Sequence, residues 1–359
     1  MKTANKGEWS EFYVFLKLLG DGGLYAADAD LNKIEKLYYP LIKILRQENS
    51  SKKEYLNNSP KIKVIDGESK ECLLELPAEE FKVKASLLLN AIKQSNKTFE
   101  VPEIEQFMNL IYCSKISADS ADKSDINIVL HDKDTFCDTK FGFSIKSRLG
   151  SSSTLLNAGK TTNFIYEIVG DLSASDVNKI NEISTKSKIR DRINGLIVQS
   201  CSLHFIKTEN NNFNSNLQVI DTALPTIISD ILLLYYQGQG SSIIELTEKI
   251  NLINPCNYDL TGKHSFYEYK MKKLLSDTAL GMKPASAWSG QIDATGGYII
   301  VREDGEILCY HLYNKNEFEY YLFKNTKLDT PSTTKYDFGT IYSNNNRNYI
   351  KLNLQVRFY

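Results

Sequence analysis

Two short runs with alternating apolar residues place the strongest constraint on how this chain folds. In "DINIVL" (125–130) every second residue from Ile126 is apolar, and in "FGFSIK" (141–146) every second residue from Phe141 is apolar. A period of two is typical of β-strands that bury one face. The runs are joined by "HDKDTFCDT", so the pattern predicts a β-hairpin.

The other face of this hairpin carries polar side chains. Pairing of the two strands would bring Asp125, Ser144 and Lys146 to one face of a sheet. Hydrolysis of a phosphodiester needs a carboxylate to hold Mg²⁺ and a cation or base to orient the attacking water. The same residues also fit an ordinary hairpin, since an aspartate before a strand is commonly a turn residue. The spacing alone leaves both readings open.

Composition limits the class of protein. The chain has 359 residues, a formal net charge of −1 and six scattered cysteines without a CxxC pair. A neutral total indicates no global attraction to nucleic acid, although local basic patches still permit it. The cysteine pattern argues against a zinc module or a disulfide scaffold and favours a reducing cytosol.

Membrane and secretion signals are not expected. The first twenty residues place Glu8, Glu11 and Lys17 within their apolar stretch, which is unlike a signal peptide. The longest apolar run, "TIISDILLLYY" (226–236), is too short to span a bilayer and contains Asp230. We therefore expect a soluble intracellular protein without a membrane partner.

Periodicity along the chain predicts an α+β fold. We expect helices over 9–19, 78–96, 101–113, 174–195 and most of 222–284, and a loop over 47–60. Further strands are expected at "KIKVIDG", "TNFIYEIVG", "VQSCSLHFIK" and "LQVID". The C-terminal part predicts a hairpin in "GGYIIVREDGEILCYHLY", a strand in "EFEYYLF" and a last strand in "YIKLNLQVRF".

The polar hairpin residues form a D-x18-S-x-K pattern, which resembles a variant of the PD-(D/E)XK nuclease signature. Ser124 stands where that signature has proline, and Ser144 stands where it has an acid. More specifically, the chain resembles the HpaII family of type II restriction endonucleases. The resembling stretches include "GEWSEFYVFLKLL", "FSIKSRLGSSSTLLNAGKTTNF", "IDTALP" and the C-terminal hairpin and tail, so the resemblance runs from residue 7 to 358.

The resemblance implies a restriction-endonuclease-like mixed β-sheet core flanked by helices. In this reading, residues 1–220 form the nuclease core and 221–285 a helical segment, and the β-rich region 286–359 serves DNA recognition or dimerisation. The implied activity is Mg²⁺-dependent cleavage of both strands of duplex DNA at a short palindrome, CCGG for the name-giving member.

The resemblance also assigns roles to single residues. Asp125 would bind the metal, and Lys146 would orient or activate the water. A serine hydroxyl is a poorer Mg²⁺ ligand than a carboxylate, so the residue at 144 calls for a second acid from elsewhere. Glu11 is the first candidate, Glu8 shares its helix face, and Glu167 is held in reserve. The alternative for the two helix glutamates is that they complement the helix dipole.

Three groups of residues are candidates for DNA contact. They are Arg148, Asn157, Lys160 and Asn163 after the second strand, the basic cluster Lys186, Lys188, Arg190 and Arg192, and Lys351, Gln355 and Arg357 on the polar face of the last strand. Such side chains suit phosphates and base edges. The alternatives are a polar loop, a solvated basic face and an exposed sheet edge.

The implied protein acts on double-stranded DNA as a homodimer or transient dimer, since a palindrome presents two equivalent strands. Its functional partner would be a cognate DNA methyltransferase, and its location the cytoplasm of a prokaryote. Two alternatives remain, namely a sequence-specific DNA-binding protein that does not cleave, and a PD-(D/E)XK nuclease with a different target site.

Overall fold

The computed structural model describes residues 2–49, 51–117, 124–132 and 136–359. Its helices, in chain order from α1 to α11, are Lys6–Asp21, Ala78–Gln94, Pro102–Leu110, Ala174–Glu182, Lys188–Val198, Asn211–Ile220, Leu224–Tyr236, Ile243–Ile253, Phe266–Leu280, Lys315–Lys324 and Thr333–Tyr336.

The strands in chain order, β1 to β16, are Gly23–Ala27, Lys33–Gln47, Lys52–Asn58, Lys61–Asp66, Cys72–Pro77, Ile126–Asp132, Cys137–Ser147, Thr154–Leu156, Asn163–Val169, Ser202–Thr208, Gly297–Val301, Ile307–His311, Thr326–Leu328, Ile341–Asn344, Arg347–Asn353 and Val356–Phe358. The combination of many helices with mixed sheets confirms the predicted α+β class.

The chain divides into two compact units. Unit 1 contains Met1–Ser153 and Ile292–Tyr321, and unit 2 contains Thr154–Gln291 and Leu322–Tyr359. This division differs from the expected boundaries at 220 and 285. The strands β11 and β12, expected in a separate C-terminal region, belong to the sheet of unit 1, whereas residues 154–220, expected in the nuclease core, belong to unit 2.

Unit 1 is built on a nine-stranded mixed sheet. Its order is β1-β12-β11-β7-β6-β2-β3-β4-β5, and an additional pairing of β1 with β2 closes the first six strands into a ring. The neighbours β2, β6 and β7 are antiparallel, while β7 and β11 are parallel. A closed ring is not the plain sheet expected of a restriction-endonuclease-like core, so the structure confirms the fold class but leaves the finer assignment open.

Helix α1 packs against this sheet and fixes the N-terminal side of the site. The Asn5 side chain accepts hydrogen bonds from the amides of Gly7 and Glu8, and the Glu8 carboxylate accepts one from the amide of Asn5. Gly22 ends the helix with a left-handed φ of 76°, a backbone conformation that favours glycine. Caps at both ends, together with the buried aromatic side chains Trp9, Phe12 and Phe15, hold the helix in place.

Unit 2 contains two smaller sheets and most of the remaining helices. The four-stranded sheet has the order β10-β9-β15-β14, and the three-stranded sheet the order β13-β16-β8. The run "YIKLNLQVRF", predicted as one alternating strand, therefore splits between the two sheets as β15 and β16. Leu354 marks the break, where its amide donates to the carbonyl of Thr162 at 3.0 Å.

Three further expectations are wrong, each for a local reason. Residues 52–58, expected within a loop, form β3, because cross-strand ion pairs such as Lys53–Asp66 at 2.7 Å hold its polar side chains. "LQVID" lies in α6, which is capped by Asn210 and buries Phe213 and Leu217 one turn apart. "EFEYYLF" lies in α10, where Phe318, Tyr321 and Leu322 are buried at helical spacing.

The remaining predicted elements agree with the structure. The helices α1, α2 and α3 and the hairpin of β11 with β12 lie where periodicity placed them, and the region 174–195 contains two helices in place of one. The strands β6 and β7 pair as the predicted hairpin, although residues 133–135 of its connection lie outside the described residues.

No single helix in the described residues is long and apolar enough to cross a bilayer. Within the same described ranges, the bent pair α6 and α7 reaches that length and composition together, with a 108° angle at the break.

Candidate active site

The hairpin places Asp125 immediately before β6 and beside β7. The amide of Asp125 donates to the carbonyl of Phe143 at 2.8 Å, which continues the ladder by one residue beyond the pair Ile126–Phe143. Ser124, one residue earlier, lies over Gly142, where a Cβ atom would overlap its hydroxyl group. A small residue at 142 is therefore needed for the approach of residues 124 and 125 to β7.

Two donors from β7 hold the carboxylate of Asp125. The Ser144 hydroxyl donates to Oδ2 at 3.0 Å, and the backbone amide of Ile145 donates to the same oxygen at 2.6 Å. The geometry confirms that Asp125 and Ser144 meet across the hairpin. Both donors use Oδ2, so Ser144, which stands where the nuclease signature has an acid, orients the carboxylate of Asp125. This contact explains part of the departure from the signature at position 144.

Lys146 lies two residues after Ser144 on β7, close to two acids. Burial lowers the pKa of the Lys146 ammonium, while the carboxylates of Asp125 and, more weakly, Glu11 oppose that shift. Its Nζ lies 5.4 Å from the centre of the Tyr298 ring on the parallel neighbour β11. The lysine is thus partly desolvated and surrounded by Asp125, Glu11 and an aromatic ring.

A cleft in unit 1 opens onto this lysine. Its volume is about 850 Å³. It is lined by residues from the start of α1, the segment after α2, the end of β7 and the loop that follows: Asn5, Lys6, Gly7, Glu11, Asn96, Lys97, Thr98, Ile145, Lys146, Ser147, Leu149, Gly150, Ser151 and Ser153. Glu11 and Lys146 share this one surface, so a ligand in the cleft can reach both.

The donor set fits a hard divalent cation only in part. Among the described residues, no group of three or more histidine, cysteine, aspartate or glutamate side chains is arranged to hold a metal ion. Asp125 and Glu11 are the two carboxylates whose charges act on Lys146. Such a pair fits Mg²⁺, which commonly binds one or two carboxylates and takes its other ligands from water and substrate phosphates.

The other glutamates considered as ligands lie elsewhere. Glu8 uses its carboxylate in the capping box of α1, where it accepts a hydrogen bond from the Asn5 amide at 2.7 Å. Glu167 lies on β9 in the four-stranded sheet of unit 2 and forms an ion pair with Arg347 at 3.1 Å. Of the three, Glu11 is the one that lines the cleft of unit 1.

The basic cluster of unit 2 divides into exposed and buried members. Lys186, Lys188 and Arg190 line a second cleft of about 750 Å³, together with the hydroxyl residues 332–334. Arg192 is 7% exposed, and its guanidinium donates to the carbonyls of Asn181 and Ile183 at 2.6 and 3.0 Å. Arg192 therefore binds the protein backbone, and the basic cluster predicted to contact DNA loses this member.

Several other candidates for DNA contact are engaged within the protein. Asn163 is fully buried and bonds Glu209 at 2.7 Å, so it is no surface residue. Lys351 pairs with both Glu209 and Asp337, and Arg357 pairs with Asp329 at 3.0 Å.

The remaining candidates differ in exposure. Asn157 and Lys160 are exposed, Gln355 is half-buried, and Arg148 donates to the Tyr321 hydroxyl at 3.4 Å in unit 1. Exposure permits DNA contact at Asn157 and Lys160 without any rearrangement, whereas Arg148 already has a partner.

Tyr298 is a site residue that the sequence pattern did not indicate. It lies in the all-buried strand β11 opposite Ser144, and it is 2% exposed. Burial and, more weakly, the Asp125 carboxylate raise the pKa of its hydroxyl group, so the phenol is protonated at neutral pH. A tyrosine in an apolar strand normally indicates core packing, and only the pairing of β11 with β7 places it beside Lys146.

Comparison with known proteins places these features in a context. The sequence model of the HpaII restriction endonuclease family matches residues 5–358 of the chain. The chain is 46% identical to the type II restriction enzyme HpaII of Haemophilus parainfluenzae, over 99% of this chain and 98% of that protein. No solved structure matches.

Proposed function

Because the chain belongs to the HpaII restriction endonuclease family, we propose that it cleaves both strands of unmethylated duplex DNA at CCGG. A type II site-specific deoxyribonuclease is the enzyme class that this family membership gives. The observation that carries the proposal is the full-length match, together with a cleft that exposes Glu11 and Lys146 beside the hydrogen-bonded carboxylate of Asp125.

The proposed nuclease core consists of α1 and four strands of the ring. The antiparallel strands β2, β6 and β7 and the parallel strand β11 form a mixed sheet, and α1 contributes Glu11. This arrangement supports a restriction-endonuclease-like assignment, in which the pairing of β1 with β2 is an addition to the core.

Restriction endonucleases of type II generally use divalent metal ions, and we propose Mg²⁺ for this protein. Asp125 and Glu11 would hold it, with water and phosphate oxygens as the other ligands. When bound, Mg²⁺ stabilises the negative charge that develops on the phosphate oxygens during hydrolysis.

Lys146 is proposed to act on the water. Burial lowers the pKa of its ammonium group, which increases the fraction of neutral amine that can accept a proton from the attacking water. The water oxygen then bonds to phosphorus, and the bond from phosphorus to the 3′ oxygen breaks. The leaving oxygen takes a proton from solvent, and the products are a 5′-phosphate and a 3′-hydroxyl.

Ser144 is proposed to serve the reaction through Asp125. Its hydroxyl donates to Oδ2 and leaves the other carboxylate oxygen, Oδ1, for a metal ion. This role weakens the case for a DNA-binding relative that does not cleave, because that alternative depended on a gap at position 144.

DNA is proposed to contact the cations of the basic cluster that line the cleft of unit 2. These are Lys186, Lys188 and Arg190. Among the described residues that line this cleft, Glu245 is the only acid, so the cleft favours a phosphate. Lys351 and Arg357 already pair with carboxylates, so base reading by them would require an exchange of partners.

The biological setting is part of the proposal. A palindromic target presents two equivalent strands, which favours a homodimer or a transient dimer on DNA. A cognate DNA methyltransferase would protect host sites, and the enzyme would act in the cytoplasm of a prokaryote.

We predict that the wild-type protein with Mg²⁺ cuts a plasmid into the fragments expected from its mapped CCGG sites. Lys146→Ala should bind the same DNA without cutting it, because the amine that orients the water is lost. The exposed Lys140 on the same strand provides a matched control, and Lys140→Ala should cut normally.

Premethylated plasmid should resist the wild-type protein. Fragments that end at other sites would contradict CCGG alone and favour a nuclease with a different target. An intact plasmid with wild-type protein, or normal cutting by Lys146→Ala, would contradict the proposed mechanism.

Ser144→Ala is expected to slow cleavage moderately. One of two hydrogen bonds to Oδ2 is lost while the Ile145 amide remains, and a net hydrogen bond of about 1 kcal/mol corresponds to a decrease of roughly fivefold. Asp125→Asn should abolish cleavage under the same single-turnover conditions. A loss as large in Ser144→Ala as in Asp125→Asn would show that the serine acts on the substrate directly.

A further inference from the structure

We propose that the segment Asn96–Lys97–Thr98, named here the cleft rim, binds a backbone phosphate of DNA next to the scissile phosphate. The inference rests on the proposed function and extends it, since it adds a DNA-contact site in unit 1 that the sequence pattern did not indicate. All three residues are exposed and line the cleft that contains Glu11 and Lys146.

The cleft rim is held in place on both sides. Before it, the Ser95 amide and hydroxyl bond the carbonyl of Ala91 and close α2. After it, Phe99 exchanges two backbone hydrogen bonds with Ala4, and its carbonyl accepts the indole N–H of Trp9 at 3.0 Å. A short segment anchored in this way presents Lys97 without a large loss of backbone entropy on binding.

The charges around the cleft favour an anion. The chain as a whole has 43 lysine and arginine residues against 44 acids. Among the described residues that line this cleft, the charged ones are Lys6, Lys97, Lys146 and Glu11. Three cations against one acid give a local excess of positive charge in a nearly neutral protein, which attracts a polyanion.

The lysines of the cleft differ in how they are engaged. Lys6 donates to the carbonyl of Leu149 at 3.1 Å, and Lys146 lies among the catalytic groups. Within the part of the chain that the structure describes, Lys97 makes no ion pair or hydrogen bond through its side chain. Its ammonium group can therefore reach a phosphate oxygen without breaking an existing contact.

The test measures binding of a 20-base-pair duplex with one CCGG site in buffer without divalent cations. Lys97→Ala should weaken binding about fivefold and reduce the slope of log K against log salt by about 0.9, the value for one phosphate contact. Lys97→Glu should weaken binding further. The single-turnover cleavage rate at saturating protein should stay within about threefold of wild type, since a phosphate contact away from the reacting atoms positions the DNA.

Lys93, exposed in the last turn of α2 and outside the cleft, gives the matched control. An unchanged affinity and salt slope in Lys97→Glu, or an equal change in Lys93→Glu, would overturn the proposal. Plasmid digestion by the wild-type protein is a separate experiment, so failure of the proposed cleavage is distinguished from failure of the rim as a DNA contact.

A separate observation concerns Tyr298, and we infer that this residue positions Lys146. The parallel pairing sets Tyr298 opposite Ser144 and Ile300 opposite Lys146, and the lysine Nζ lies 5.4 Å from the tyrosine ring centre. The ring itself is fixed by Phe318 of α10, which packs edge-on at 5.2 Å. A cation over an aromatic face is attracted to it, so the ring restrains the flexible lysine side chain that lines the cleft.

Replacement of the ring separates this role from simple packing. Tyr298→Phe keeps the ring and should cleave within about twofold of wild type, whereas Tyr298→Leu should lower the single-turnover rate about tenfold, with DNA affinity unchanged. Tyr310 is paired with Tyr298 on β12 and stacks on Tyr321 at 4.3 Å, so Tyr310→Leu removes comparable packing away from Lys146. It should retain the wild-type rate.

A measurement on the wild-type fold covers the case in which a buried variant does not fold. In protein with ¹³C-labelled lysine ε-carbons, the Lys146 signal is assigned by its loss in Lys146→Ala and recorded at a pH at which its ammonium group is charged. It should then be shifted upfield by the ring. An ordinary chemical shift for that signal would overturn the inference. So would a wild-type cleavage rate in folded Tyr298→Leu, or an equal loss in Tyr310→Leu.

Discussion

The carboxylate of Asp125 is held by two donors from the neighbouring strand, and the geometry of the whole centre depends on this contact. The Ser144 hydroxyl and the Ile145 amide both bind Oδ2, which fixes the aspartate at the point where β6 begins. The same stretch of β7 continues to Lys146 two residues later. Asp125, Ser144 and Lys146 are therefore placed by a single hairpin, and in the proposed centre α1 adds Glu11.

The rest of unit 1 supports that hairpin from two directions. On one face, α1 contributes buried aromatic side chains, and the caps at its two ends fix the position of Glu11. On the other side, β11 pairs in parallel with β7 and brings Tyr298 beside Lys146. A lysine that is partly removed from water and lies near two carboxylates has a tuned affinity for protons, and such tuning is typical of catalytic groups.

Sequence patterns predicted the parts of this protein that local rules decide. The hairpin of β6 and β7 follows from strict alternation, and α1 from an apolar stripe that ends at glycine. Patterns failed where partners distant in sequence decide, as in β3, whose polar residues find ion pairs on β2 and β4, and in α10, whose aromatic residues fit either period. The predicted DNA contacts of Asn163 and Arg192 failed for the same reason. Both side chains are buried by protein partners that no local pattern shows.

The candidate site was predictable to a similar extent. The pairing of Asp125 with Ser144 follows from the register of one hairpin, whereas Tyr298 and the cleft rim come from segments far from it in the chain. The remaining structural choice lies between Glu8 and Glu11, which occupy the same helix three residues apart. Glu8 caps the helix, while Glu11 lines the cleft and acts on Lys146.

The most direct test of the account is the single-turnover cleavage rate of Glu11→Gln beside that of Glu8→Gln. If Asp125, Glu11 and Lys146 form the centre, Glu11→Gln loses cleavage by about a hundredfold or more, as expected for a lost metal ligand. Glu8→Gln should then stay within about threefold of wild type, because only a helix cap is weakened. Normal cleavage by Glu11→Gln, with or without a loss in Glu8→Gln, would contradict the account.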